Sequence, residues 1–383
     1  MVKTGGRSGI NSLASSVQAR VVQTYNALSR TRGKSIALLH SDTESEDVLL
    51  EKVLAVPEVL GASLNYKTRA FTTPNDPQYS RLWGLPAIQA DKVWDEGFTG
   101  TSDVYAAVID TGVAYTHEDL AENFETEGYS RNFSTSDASD YMDRDNHGSH
   151  VSGTIAAVGN NNIGVAGVNW KAKIIALKVL DDGGRGQWSW TIDALNYLCE
   201  LVDQHPELNL ASVNLSLGGY MSSSPEEMIT NHNPMWEAFK AFSDRNRAVI
   251  CVAAGNETLE VGVPAPEDNW WYGYSKGDYC YPASFRNIDN MIVVAAADNT
   301  SSYSQASYSN YSTQYVDVAA PGSDVLSTVP SNSYESFNGT SMATPHVTGA
   351  AALLRSVFPD SDASQLKAAI IQGQIGITQQ ATQ

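Results

Sequence analysis

The chain has 383 residues, 42% of them hydrophobic and 17% charged, with a formal net charge of −19. That balance excludes a disordered polymer, because enough apolar surface is present for a core, and it excludes a binder of nucleic acid or anionic membrane, which needs a basic face. The three cysteines, Cys199, Cys251 and Cys280, exclude a disulfide scaffold, and no apolar run approaches the roughly 20 residues of a membrane span.

Before Asp42 there are six basic residues and no acidic one. This break in charge marks residues 1–34 as a basic segment of its own. Its start, "MVKTGGRSGINSLASS", has no apolar stretch of the kind a signal peptide carries. Residues 35–71 read as a compact unit. "KSIALLHS" predicts a strand, and "SEDVLLEKVLAV" a helix with acidic residues at its positive end. "PEVLGASLNYKTRAF" is punctuated by Pro and Gly with strand-like residues between, and "TTPNDPQYS" is a turn-rich linker. From about residue 75 onward strands and helices alternate. Strands are predicted in "DVYAAVIDTG", "AKIIALKVL", "LASVNLSLGG", "AVICVAAGN" and "NMIVVAAAD". Helices are predicted in "HVSGTIAAV", "SWTIDALNYLCELVDQ", "PMWEAFKAFSDR" and "SMATPHVTGAAALL". Such alternation implies an α/β domain with a mainly parallel sheet, whose ligands bind beyond the carboxyl ends of the strands. Cys251 sits inside a strand pattern and is expected to be a core thiol.

Three polar residues stand at such ends: Asp110 closes "YAAVID", His147 opens "HGSHVSG", and Ser341 lies in "NGTSMATPH". Singly each has an ordinary explanation, as a turn residue, a helix start and an N-cap. Together they supply what a serine nucleophile needs: an imidazole to take its proton and a carboxylate to orient the imidazole. His150, one turn beyond His147, is expected to pack or hydrogen-bond locally.

"AAVIDTGVAYTHEDL", "DNHGSHVSGTIAA" and "NGTSMATPHVTGAAALL" resemble the three signature blocks of the subtilisin-like serine proteases, in the family's order Asp, His, Ser. "KVLDDGGRGQWSW", "NLSLGG" and "VAAGN" resemble three more blocks. The resemblance implies a subtilisin-like three-layer domain over residues 72–383, preceded by a small α+β propeptide over 35–71, with residues 1–34 either a separate basic segment or part of that propeptide. It implies a serine endopeptidase made as a self-processed zymogen, cut close to Phe71. Asp110 would orient, His147 act as base and acid, Ser341 attack, and Asn256 donate to the oxyanion. Gly184, Arg185, Gly186 and Trp188 would face an extended peptide from one side, with Ser216, Leu217 and Gly218 on the other. The family's structural calcium would be held by Asp119, Asn161, Ile163 and Val165, with Asp76 adding a carboxylate. The implied partners are protein or peptide substrates and the chain's own propeptide as inhibitor, with a monomeric, secreted protein. The alternative is a catalytically silent homologue that binds peptides. "HGSH" carries Ser149 where the family usually has Thr. The loop "ETLEVGVPAPEDNWWYGYSKGDYCY" is longer than in compact bacterial members; its aromatics would form a lid over the first specificity pocket or hold the loop together. "NFS" at Asn132 and "NYS" at Asn310 are formal glycosylation sequons.

Overall fold

The computed structural model describes residues 2–4, 9–66 and 72–373. The chain divides into two compact units, Met1–Ala70 and Phe71–Gln383. The expected cleavage beside Phe71 lies outside the described residues.

The first unit contains β1 (Val2–Thr4), α1 (Ile10–Ser16), β2 (Arg20–Thr24), α2 (Asn26–Arg32), β3 (Ser35–His40), α3 (Glu46–Leu54) and β4 (Val59–Ala62). Its four strands form an antiparallel sheet in the order β2-β3-β1-β4. Ile10, Leu13, Val17, Ala37 and Val53 make its core; Ile10, Leu13 and Val17 fall at the i, i+3, i+7 spacing of one helical face. Ser45 caps α3 by accepting from Val48 N, with Glu46 and Asp47 in the first turn. Residues 1–34, which the sequence leaves weakly patterned, thus supply two strands and two helices to the same sheet as residues 35–62.

The second unit begins with short helices α4 (Gly84–Ala87) and α5 (Ala90–Asp95). Then come β5 (Tyr105–Asp110), β6 (Arg131–Asn132), α6 (His147–Ala156), β7 (Lys173–Lys178), α7 (Trp188–Gln204), β8 (Leu210–Leu215), β9 (Gly219–Met221), α8 (Pro225–Thr230) and α9 (Pro234–Ser243). β10 (Val249–Ala253), β11 (Tyr279–Tyr281), β12 (Met291–Ala297), β13 (Val318–Pro321), β14 (Val325–Val329), β15 (Ser333–Phe337), α10 (Thr340–Val357) and α11 (Ala363–Gln372) complete it. Seven strands form the central sheet, in the order β13-β12-β10-β8-β5-β7-β6, and their pairings are parallel. The strands are buried on both faces, so they read as continuous apolar runs. Ala107, Ile109, Ile175 and Leu177 point to the face covered by α7 and α9. Ala106, Val108, Ile174 and Ala176 point to the opposite face, beneath α6, and Cys251 and Ile292 lie on that side beneath α10. The result is a three-layer α/β unit with a mainly parallel sheet. β9 with β11 and β14 with β15 form two antiparallel ribbons outside it.

All three cysteines are buried and free. Asn132 and Asn310 are buried too, and their amides donate to Asp140 O and to Ala254 O. Neither sequon can carry a glycan in the folded chain. Among the described residues no helix is long and apolar enough to cross a membrane.

Candidate active site

The carboxyl end of β5 delivers Asp110, which is fully buried. Its Oδ1 lies 2.8 Å from His147 Nδ1 and accepts from the Thr111 N–H at 2.7 Å. His147 is the first residue of α6, and a second buried acid fixes that helix start. Asp143 Oδ1 accepts from Thr111 Oγ1, Asp145 N and Asn146 N, while its Oδ2 accepts from the N–H and hydroxyl of Ser149. Ser149, the departure from the family pattern, also accepts from Ala114 N. Gly148 allows the closest approach: a Cβ there would collide with the Gly112 carbonyl. Burial alone would lower the basicity of His147, but the charge of Asp110, its hydrogen bond, and the charges of Asp145 and Asp143 outweigh it. The imidazole pKa is raised above 6.5.

Ser341 is the second residue of α10. The helix has Gly339 as N-cap, with no side-chain cap, so its first N–H groups look outward. Thr340 N donates to Asn256 Oδ1 at 2.8 Å, and Thr340 Oγ1 to the same oxygen at 3.1 Å. The Ser341 N–H has no acceptor among the described residues. A Cβ built on Gly339 would lie 3.6 Å from both Asn256 Nδ2 and Ser341 N, so the two donors border one small space. Ser341 Oγ itself donates to Ser216 O at 3.1 Å; among the described residues no hydrogen bond joins it to His147.

The other histidines of this region are inert. His150 shares Nε2 between Val325 O and Glu335 O and stacks on Phe337, and burial pushes its pKa down to about 3. Burial likewise lowers His346 to about 4.

A cleft of about 530 Å³ opens beside His147, lined by Gly184, Gly186, Trp188, Ser216, Leu217 and Gly218 among others. Arg185 is not among its lining residues; it is exposed, with its N–H on Asp181 Oδ1 at 3.0 Å. In the long loop, Trp270 and Trp271 are 85% and 76% exposed while Tyr274 is 7% exposed. Tyr274 packs on Tyr220 of β9, with ring centroids 4.6 Å apart. Tyr220 and its partner Glu257 were not singled out in the sequence, because only the folded chain brings them together.

Away from the cleft, Asp76, Asp119, Asn161, Ile163 and Val165 converge. Asp119 accepts from Asn161 Nδ2 and Val165 N, each at 2.8 Å. Asp76 accepts from Asn160 N and Asn161 N, and Asn161 Oδ1 from Ile163 N. Both carboxylates are buried, and among the described residues neither has a Lys or Arg partner. Burial, aided by the charge of Asp76, pushes Asp119 up to about 6. Two buried acids beside one Asn side-chain amide, with no Lys or Arg partner among the described residues, suit a hard divalent ion.

Residues 101–379 match the sequence model described as the Subtilase family. Subtilisin NAT of Bacillus subtilis subsp. natto is 37% identical over 290 residues, 74% of this chain and 64% of that protein's length. Thermitase of Thermoactinomyces vulgaris is 38% identical over 308 residues, 78% of this chain and 90% of that protein. Among solved structures, sphericase superposes with a TM-score of 0.59 at 30% identity, covering 76% of this chain and 88% of sphericase.

Proposed function

Because the chain belongs to the subtilase family, we propose that it is a serine endopeptidase that cuts peptide bonds through an acyl-enzyme on Ser341. The observation that carries this reading is the 2.8 Å contact of His147 Nδ1 with fully buried Asp110. It fixes the tautomer that leaves Nε2 free to take a proton. A bound peptide displaces the Ser341 hydroxyl from Ser216 O by rotation about its Cα–Cβ bond, and the proton passes to His147 as Oγ attacks. The carbonyl oxygen, now negative, is held by Asn256 Nδ2 and the Ser341 N–H, at the positive end of α10. His147 returns the proton to the leaving amine, and water activated by the same imidazole then frees the acid.

The substrate lies extended between Gly184–Gly186 and Ser216–Gly218. Calcium is assigned to Asp76, Asp119, Asn161 and the carbonyls of Ile163 and Val165, where it would neutralise the two acids. The first unit serves as propeptide and inhibitor, and the protein works outside the cytoplasm as a monomer. Labelling with a fluorophosphonate in the presence of calcium tests the reading. Wild type should be labelled on Ser341 and should cut itself near residue 71, whereas Ser341→Ala does neither. Absence of both labelling and cleavage in wild type sinks it and leaves the silent peptide-binding homologue.

A further inference from the structure

Ser341 stands between two chain segments. On one side Ser216 exchanges hydrogen bonds with it; on the other Asn256 is tied to Thr340. An acyl group whose oxygen rests on Asn256 Nδ2 and Ser341 N must send its side chain down between Ser216–Gly219 and Ala254–Glu257. What lies at the foot of that slot therefore sets which residue can precede the cut.

The foot is closed by side chains from both walls. Tyr220, just past the first wall, donates its hydroxyl to Glu257 Oε2 at 2.6 Å. That same oxygen accepts from Asn256 N and Asn310 Nδ2, each at 2.8 Å, so it is pinned. Cys280 lies opposite Tyr220 in the β9–β11 ladder, and its Sγ sits 3.6 Å from Ala254 O in the second wall. Tyr274 of the long loop backs the Tyr220 ring. Burial and the Glu257 carboxylate keep the phenol protonated and so donating. The open volume of the cleft runs along Ser216–Tyr220 and is bounded across from them by Leu180 and Trp188.

We propose that the Tyr220–Glu257 bridge, floored by Cys280, makes this chain a peptidase for bonds that follow short uncharged residues such as Ala or Ser. This rests on the peptidase reading above. The bridge excludes Lys and Arg by their length, although Glu257 remains a carboxylate.

The test uses the full chain, active-site titrated with the fluorophosphonate so that only folded enzyme is counted. Tetrapeptide p-nitroanilides differing only in the residue before the cut, Ala, Phe or Lys, are compared by kcat/KM. Wild type should prefer Ala over both others by at least about tenfold. Tyr220→Ala should raise the Phe/Ala ratio about tenfold or more, and Tyr220→Phe, which keeps the ring backed by Tyr274 but loses the hydroxyl that bridges to Glu257, should raise it by less. A wild type that prefers Phe or Lys overturns the proposal, as does a Tyr220→Ala ratio like that of wild type; titratable enzyme in those cases leaves the peptidase reading standing. No titratable serine in any variant overturns both.

Discussion

Ser216 and Ser341 hold each other by two hydrogen bonds of opposite direction: Ser216 Oγ donates to Ser341 O at 2.8 Å, and Ser341 Oγ donates to Ser216 O at 3.1 Å. The first bond exists because of Pro345. A helix would satisfy the Ser341 carbonyl with the N–H four residues on, and Pro345 has none. Ser216→Ala leaves that carbonyl without its donor. The expected loss is about 1–3 kcal/mol of stability, seen as a lower Tm, together with a lower kcat from a less fixed nucleophile. An unchanged Tm and kcat would refute the role of this pair.

The space between Asn256 Nδ2 and Ser341 N is small enough for one added carbon to fill. At φ +155 Gly339 also occupies backbone territory that L side chains rarely adopt. Gly339→Ala is therefore expected to lower kcat by about 10²–10³, the cost of losing an oxyanion donor as measured in a subtilisin. KM should change far less, since the donors act on charge that develops only in the transition state. Steady-state kinetics on a single peptide substrate checks both.

In the proposed mechanism His147 is the general base and must be neutral, so kcat/KM should fall as pH drops through its pKa. That pKa is raised by Asp110, Asp145 and Asp143 against the opposing effect of burial, which places the acid limb above the ordinary imidazole value of 6.5. Asp145→Asn keeps an acceptor for the His147 N–H and removes one of the raising charges. The acid limb of the pH profile should move to lower pH. A shift to higher pH, or none, contradicts the assignment of charges around the imidazole.

Asp119 titrates at about 6 in the folded chain against 3.8 ordinarily. A raised carboxyl favours the folded state while protonated, and that contribution is lost as pH climbs through 4 to 6. Without calcium, this group makes the chain less stable at pH 8 than at pH 5. Calcium binds the ionised form, so added calcium should raise Tm more at pH 8 than at pH 5. At 100 times its Kd the gain is about 2.7 kcal/mol. Asp119→Asn should abolish most of the calcium-dependent shift in a thermal melt; an undiminished shift places the ion elsewhere.

The strand and helix blocks of the second unit are legible because each carries its own pattern. "YAAVID" is apolar until the residue that must be polar, and β5 ends at Asp110. The stretch "SWTIDALNYLCELVDQ" becomes α7 with Leu195, Leu198 and Cys199 buried. Asp110 and His147 stand at element ends beside short motifs, so their meeting could be anticipated. Ser341 could be placed as well, but not the direction of its hydroxyl, which depends on a carbonyl 125 residues away in sequence. The Tyr220–Glu257 bridge and the Thr340 grip on Asn256 were hidden for the same reason, since no local pattern encodes a contact across strands. Residues 10–32 were illegible for another reason. Helices and strands of five to seven residues show too little of a period to be distinguished from loop.

The helix that carries Ser341 comes late in the chain, yet it is clasped by β5, β8, β10, β12, β13 and α6. Those elements precede it in the order of synthesis, whereas α11, which also packs on it, follows. A nascent chain that has already exposed Asp110 and His147 still lacks the attacking hydroxyl and both oxyanion donors, because α10 supplies one donor and anchors the other through Thr340. On the proposed mechanism, a chain in the course of synthesis therefore cannot cut until α10 has docked.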